Sequence, residues 1–530
     1  MMRQADVAKF SADPAFLGLK RKREDLHEKI ENLRLAMVTL PLDQPGVDAR
    51  RGDLNVQVAT AKVELAPLED ALWRDYPRFM ELTNPRPVSV QDLQQKLLRP
   101  DEVLLSYVLL PQEVAIFAVT RERFQMVNLP VKREDVARRV RAIRRAIEKV
   151  AVGESVLFLR EIDPASLHSL YRDLVAPLAS ALAGKQKVIV VADGPLLTLP
   201  IEFLVTQYGP AEQQAFESAR AASDGSAERP FLGEYGALAY LGKEHRFAYL
   251  PSLSALASQR LYPKHYSGLR QEFTAFADPI FAPSPGQSYS PATRAALGLL
   301  ASNYRVGKDG LPDIPRLRET ADEARSIARI LGGSSRMFIG GEAQENMAKS
   351  GELKNSRYVL FATHGFLGGE FLPGADPVAE HAAGAARAKS GAQPSLALTL
   401  VGDLRGEDGM LTMKEVIEDV ELNADLVALS ACNTAGETAQ ANNGEGFAGL
   451  TRAFMYAGAK ALLVSHWSVD SLSTEALMTS TFRNIKQGET ALNAVSDAQR
   501  ELRGGSYASG QYRFSRSHPF FWAAFVYVGD

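Results

Sequence analysis

The sequence predicts an α/β protein built on a parallel sheet, and three observations carry that expectation. Residues 358–362 (Tyr-Val-Leu-Phe-Ala) and 426–429 (Leu-Val-Ala-Leu) are short, continuous apolar runs, each followed at once by small or polar residues. That is the pattern of a strand buried on both faces that ends in a loop at the carboxyl edge of a sheet. Residues 187–192 repeat it ahead of Asp193-Gly194, and residues 247–250 repeat it ahead of Pro251-Ser252. Finally, a stretch of helical period, with Val136, Val140, Ile143 and Ile147 on one face, precedes the first of these later runs.

The elements follow in order. Leu19, Leu26, Ile30, Leu33 and Met37, then Leu54, Val58, Ala61, Leu65, Leu68 and Leu72, are spaced by threes, fours and sevens, the seam of paired helices. Pro41, Pro45 and Gly46 separate the two segments, which predicts an antiparallel helical hairpin within residues 1–100. Pro67 is expected to kink or restart the second helix. The hairpin reads either as an arm that docks a partner or as a helical pair packed on its own catalytic body. Strands are expected at 104–110, 114–120 and 124–131, the first two as a hairpin. The helix after them carries Arg138, Arg139, Arg141, Arg144 and Arg145 mostly on its polar face. With no interleaved aromatics and no phosphate loop, this reads as a solvated face and not as a nucleic-acid surface. A further helix is expected over 164–183. Three segments, 211–230, 282–291 and 368–395, have compositions that predict flexible loops, and 436–446 is a fourth.

Length and composition set outer limits. A chain of 530 residues exceeds what one core supports, so two or three domains are expected. A net charge of −3 gives no general attraction to nucleic acid or anionic membranes. The single cysteine excludes an intrachain disulfide framework and a multi-cysteine zinc site, and neither a metal nor a cofactor is expected. The first residues lack the apolar core of a secretory signal, and the longest apolar run, 520–528, is too short to span a bilayer as a helix. The expectation is a cytoplasmic protein.

That one cysteine, Cys432, lies just past the 426–429 run, and His364 lies just past the 358–362 run. The carboxyl edge of an open parallel sheet is where sites form, and a thiol and an imidazole on neighbouring strand ends make a nucleophilic dyad. Taken singly, Cys432 reads as a small buried hydrophobe and His364 as a structural imidazole. The pair is favoured because Gly365 and Asn433-Thr434 after them pack poorly and leave backbone N–H groups free. Loops 368–395 and 436–446 flank the pair as lids. Asp193 stands where His364 does in the earlier copy of the pattern, and no cysteine follows residues 247–252. Asp193 reads either as the relic of a first, dyad-free α/β unit or as a turn residue.

Beyond spacing, six ordered blocks resemble the CHAT family of caspase-like and separase-like cysteine peptidases: 191–202, 357–365, 429–434, 443–454, 457–470 and 518–525. The resemblance covers residues 100–530. It implies a caspase-like parallel-sheet α/β sandwich: an inactive caspase-like domain over 101–265, then an active peptidase domain over 266–530, behind the hairpin. Many relatives carry tetratricopeptide repeats upstream. This sequence begins at the hairpin that usually follows them, as a short form or an excised fragment would.

The resemblance also implies roles. Cys432 attacks the scissile carbonyl, the backbone N–H groups of Gly365 and Cys432 hold the oxyanion, and His364 protonates the leaving amine. His466, at the end of the 461–465 run, is the rival histidine and reads as a packed residue beside Trp467. Trp467 and Asp470 are candidates for the substrate pocket, Asp470 by pairing with a basic side chain, although Asp470 also reads as the cap of a helix starting near 471. The expected function is a regulated cysteine endopeptidase acting on a protein substrate, in bacterial defence or programmed cell death, with an activating protein partner. The alternative is a catalytically silent scaffold that binds partners through the hairpin.

Overall fold

The structure, a computed structural model, describes residues 13–38, 40, 46–76, 80, 87–151, 153–261, 269–300, 310–366, 394–430 and 445–530. It divides into two compact units, the first ending at Pro87 and the second beginning at Val88.

The first unit is the expected hairpin. Helices α1 (Pro14–Val38) and α2 (Val47–Asp75) bury Ile30 against Val58, Ala61 and Leu65, with Leu26, Leu33 and Met37 around them. Arg23 and His27 reach Glu69, and Asp13 accepts from the Tyr76 hydroxyl, so the helices run antiparallel. Leu19, Leu54 and Leu68 stay half-exposed at the seam's margins. Helix α2 continues through Pro67 without a restart.

The second unit is organised by one eleven-stranded sheet. Its first half contains β1 (Glu102–Leu109), β2 (Val114–Val119), β3 (Phe124–Leu129), β4 (Lys187–Val191) and β5 (Arg246–Tyr249). Its second half contains β6 (Gln271–Ala277), β7 (Ser335–Ile339), β8 (Ser356–Ala362), β12 (Leu426–Leu429), β13 (Ala461–Ser465) and β14 (Phe525–Gly529). The three strands between β8 and β12 in the chain form a small sheet of their own: β9 (His364–Phe366), β10 (Ser395–Ala397) and β11 (Met410–Thr412). The order across the large sheet is β3-β2-β1-β4-β5-β14-β13-β12-β8-β6-β7. The hairpin pairs β1/β2 and β2/β3 are antiparallel, as is β13/β14, while β1/β4, β4/β5, β13/β12, β12/β8, β8/β6 and β6/β7 are parallel.

Successive side chains on a strand point to opposite faces, so a strand with no exposed residue is covered on both. Every residue of β12 and β13 is buried, which is why their sequences show unbroken apolar runs without alternation. At roughly 1.5–3 kcal/mol per fully buried large aliphatic side chain, these central strands dominate the core. The last strand, β14, joins the halves: it pairs along β13 and touches β5 at Val528↔Tyr249. Gly529 is required there, because its φ is +145° and a Cβ would stand 2.9 Å from the Cβ of Ala461. Asp530 then pairs with Lys187, Arg99 and Arg260 of the first half.

Two expectations need correction. Residues 211–230 are not a loop throughout: helix Pro210–Ala222 forms, because Phe216 is buried against Tyr208 and Tyr235 and the side chain of Glu212 accepts from the Gly209 N–H at its start. One aromatic anchor outweighs a polar composition. The helix expected over 164–183 breaks after Pro164–Leu174 into a short turn, Ala176–Leu178, and a last turn, Ala179–Leu182, where Pro177 has no N–H to give. The arginine-rich helix α3 (Arg133–Ala151) is amphipathic as expected. Arg144 departs from its polar face: it is buried, and its guanidinium donates to the carbonyls of Thr198 and of His466 in the second half.

Candidate active site

Strands β8 and β12 are immediate neighbours, parallel, with Phe361 opposite Leu429. His364 lies three residues beyond Phe361, and Cys432 three residues beyond Leu429. Cys432 itself lies outside the described residues, as do most of the segments expected to form lids, 367–393 and 431–444.

The structure builds a support around His364. Its Nε2 is 2.8 Å from the carbonyl oxygen of Pro315. A carbonyl only accepts, so Nε2 carries the proton and Nδ1 is the unprotonated nitrogen of the neutral ring. The Pro315 carbonyl is fixed by its neighbour: Arg316 forms a two-pronged pair with Asp278 at 2.7 and 2.8 Å. Asp278 ends β6 in the left-handed region, at φ +50°, and its own N–H donates to Thr320 Oγ1. Phe281, on the same loop, lies 5.2 Å from the imidazole between ring centres. On the other side, β9 pairs with β10 through His364↔Ala397 and Gly365↔Leu396, and the Thr363 hydroxyl donates to the Ala397 carbonyl. Gly365 is buried in this small sheet. None of Asp278, Pro315 and Arg316 was singled out in the sequence, although the apolar run 273–277 ending in Asp278-Pro279 is the same strand-end signal that marked His364.

Acidic groups gather beneath the strand that leads to Cys432. Glu323, on α6 (Glu319–Leu331; α4 and α5 being Pro164–Leu174 and Pro210–Ala222), is buried and bonded to Ser430. Burial, with the charges of Glu475 and Glu319 adding to it against the Ser430 hydrogen bond, pushes its pKa up to about 8. The group is therefore neutral at physiological pH. Helix α7 is Met413–Asp419 and α8 is Glu445–Ala457; α9 (Ser471–Lys486) starts at Asp470, whose Oδ1 accepts from the Ser473 N–H at 3.0 Å. Oδ2 of Asp470 is sheltered and has no hydrogen-bond partner among the described residues.

The remaining sequence candidates separate. Trp467 is 2% exposed and its indole N–H donates to the Phe520 carbonyl, so its ring is committed to the core. His466 is buried beside it, with ring centres 6.1 Å apart, and its backbone N–H donates to the Ala524 carbonyl. In the first half, Val190 pairs with Tyr249 as Phe361 pairs with Leu429, and three residues beyond them stand Asp193 and Ser252. Both have backbone roles: Asp193 accepts from the Leu109 N–H, and Ser252 accepts from the Ala255 N–H at the start of a helix.

Residues 164–530 match the model of the CHAT domain. Human tetratricopeptide repeat protein 28 is 28% identical over 121 residues, a span of 23% of this chain and 4% of that protein. Among solved structures, the Saccharomyces cerevisiae separase–securin complex aligns with a TM-score of 0.40 and 12% identity, covering 95% of this chain and 37% of that one. The Arg-specific cysteine proteinase gingipain R aligns with a TM-score of 0.31 and 8% identity, covering 72% and 69%. The chain thus spans a small part of its curated relative and well under half of the separase chain.

Proposed function

Because the chain belongs to the CHAT domain family, with residues 164–530 matching its model, we propose that it is a cysteine endopeptidase using Cys432 and His364. The observation that carries this reading is the β8/β12 register, which sends His364 and Cys432 out of adjacent parallel strands by the same number of residues. The thiolate of Cys432 attacks the scissile carbonyl, and the backbone N–H groups of Gly365 and Cys432 stabilise the oxyanion. Nδ1 of His364 takes the thiol proton and returns it to the leaving amine, while Nε2–H on the Pro315 carbonyl keeps the ring in the productive tautomer. A resting thiol with a pKa near ~8.5 is only a few per cent ionised at pH 7, so this partnership matters to rate.

Residues 101–265 then act as the inactive half and 266–530 as the peptidase half, and the matching Val190↔Tyr249 and Phe361↔Leu429 registers support that division. We take the substrate to be a protein cut at a small number of sites in a defence or cell-death setting. Asp470, whose neighbour Ser471 donates to Glu319 of α6, favours a basic residue before the cut. The exposed Val56 and Val63 on the hairpin offer a surface for an activating partner.

The test is covalent labelling of the purified chain by a peptidyl acyloxymethyl ketone with a basic residue at its reactive end, with and without candidate partner proteins. Labelling of the wild type at Cys432, absent in Cys432→Ala and His364→Ala, supports the reading. Loss in neither variant, or labelling elsewhere, overturns it.

A further inference from the structure

A cavity of about 400 Å³ opens between residues 236–243 of the first half and the end of helix α10 (Ala491–Arg503) in the second. Tyr240, Lys243, Arg500, Arg503 and Ser517 line it, and among the described residues no acidic one does. Arg503 stands over the Trp522 ring at 4.6 Å, which contacts the face of the guanidinium and accepts none of its five N–H donors. Nη1 of Arg503 is buried and has no hydrogen-bond partner among the described residues. The hydroxyl of Tyr240, a residue only 1% exposed, is likewise buried and unpartnered among them.

The nearby acids are committed elsewhere. Asp497 pairs with Arg500 and Arg246, Glu234 with Arg160, and Glu501 accepts from the Ser480 hydroxyl. Among the described residues, Lys243 donates to the carbonyls of Leu238 and Gly236 and to no acid. Asp497 is shared by Arg500 and Arg246, and Arg503 and Lys243 have no acidic partner among the described residues, which leaves their two positive charges unanswered at one cavity. Burial first, and then the charge of Arg500, pulls the pKa of Arg503 down to about 10; burial and Arg503 lower that of Lys243. Arg503 ends helix α10, whose C-terminus favours a cation, but Nη1 still has no acceptor among the described residues.

A cation whose buried donor has no acceptor is costly, and a site that sets one beside a second, exposed cation and a buried phenol is arranged for an anion. We propose that this cavity binds a small phosphate ester, whose dianionic phosphate sits between Arg503 and Lys243 and accepts the Tyr240 hydroxyl. Two charges on the ligand answer two on the protein, since a phosphate monoester is close to dianionic at pH 7. The cavity lies within the usual range for small-molecule sites, so it has room for an organic group beyond the phosphate. Its walls come from both halves of the sheet, so the ligand fastens one half to the other.

The experiment is calorimetric titration and thermal unfolding of the full chain with sodium phosphate, adenosine 5′-monophosphate and succinate at matched ionic strength. Phosphate or the nucleotide is expected to bind and raise the unfolding temperature. Binding is expected to weaken at least about tenfold in Arg503→Gln and Lys243→Ala, and about fivefold in Tyr240→Phe. Equal affinity for the two phosphate probes means that the phosphate group alone is held, and a tenfold preference for the nucleotide means that the rest of the cavity takes part; either upholds the site. Absence of binding, tighter binding of succinate, or affinity unchanged in Lys243→Ala and Tyr240→Phe overturns it. Those two variants decide the matter should Arg503→Gln fail to fold, since Lys243 is exposed and Tyr240→Phe removes one oxygen.

Discussion

Phe361 and Leu429 face each other across the parallel ladder of β8 and β12, and the chain then runs three residues to His364 from one and three to Cys432 from the other. This register distinguishes His364 from His466, which ends the strand on the far side of β12 and is buried beside Trp467. Substituting either member of the proposed pair, His364→Ala or Cys432→Ala, is expected to lower cleavage or labelling at least roughly a hundredfold. His466→Ala is expected to cost about 2–4 kcal/mol of stability through the cavity it leaves, while each folded molecule keeps its activity. Labelling rates normalised to folded protein separate the two; equal losses at both histidines would reverse the assignment.

The Asp278–Arg316 pair has a different signature. It touches no reacting atom and acts by holding the Pro315 carbonyl against His364 Nε2. A carbonyl at a protonated ring nitrogen stabilises the imidazolium, so loosening it lowers the pKa of His364. Arg316→Gln is expected to reduce kcat by about tenfold with little change in KM, and to move the pH–rate profile toward acid. A fall in folded yield alone, with the profile unmoved, would show the pair to be merely structural.

Much of this architecture was legible in the sequence, for a physical reason. Stretches of strand covered on both faces must be apolar, so 188–191 of β4, 247–249 of β5, 358–362 of β8, the whole of β12 and 461–464 of β13 announce themselves as unbroken runs, and the chain reaches the sheet edge just after each. The hairpin seam was legible because Ile30, Val58, Ala61 and Leu65 repeat at helical spacing. What escaped depends on contacts between residues distant in the chain. Pro315 lies 49 residues before His364 and acts through a backbone carbonyl, which carries no side-chain signal. Phe216 orders a helix from a polar segment only because Tyr235 and Tyr208 are there to receive it. The burial of Arg144 depends on carbonyls of Thr198 and His466 that a helical wheel does not show.

Asp470 fills the capping role that the sequence offered it, with Oδ1 on the Ser473 N–H, and its Oδ2 is unpartnered among the described residues. Asn caps a helix about as well as Asp, whereas Ala loses about 1 kcal/mol. Asp470→Asn is therefore expected to keep the melting temperature and, if the carboxylate meets a basic side chain, to lose selectivity for probes with Arg or Lys before the cut. Comparing Asn and Ala variants with basic and neutral probes checks this. Unchanged selectivity in Asp470→Asn would leave the residue with its cap alone.

Glu323 makes stability depend on pH. Its pKa is about 8 in the folded chain against 4.5 for a free carboxyl. Below pH 4.5 both states hold the proton; between 4.5 and 8 the unfolded chain releases it and the folded chain does not, so stability falls as pH rises. The fall is on the order of 3–5 kcal/mol across that window. Glu202, raised to about 7, adds in the same direction, while His518, held down to about 3 by burial, takes stability away as pH falls below its ordinary 6.5. Glu323→Gln is expected to leave stability at pH 5 nearly unchanged and to raise it at pH 8, read from urea midpoints. A variant with the wild-type slope between those two values would mean that the carboxyl is not held neutral.

Lys349 sits among Glu345, Glu407 and Glu415, with its ammonium 2.8 Å from the latter two and paired with the first. Carboxylate oxygens of the three acids lie within 4.8 Å of one another, so the lysine answers charges that would otherwise repel. Gly409 closes the cluster by donating its N–H to Glu345, at a φ of +87° where a Cβ would meet the Thr399 carbonyl at 2.7 Å. Lys349→Met is expected to cost about 3–5 kcal/mol, because it strands buried carboxylate charge. Without the ammonium, the pKa of Glu345, already pushed up to about 8 by burial, rises further, and Glu415 loses the Lys349 hydrogen bond that helps to hold its own below the usual value, so the loss grows from pH 5 to pH 8. Calcium, which binds carboxylate oxygens, is expected at millimolar concentration to restore part of the variant's stability and to leave the wild type unchanged. Thermal unfolding of both proteins at the two pH values, with calcium and with a chelator, measures this; a loss independent of pH would show that packing of the lysine stem, and not its charge, holds the cluster together.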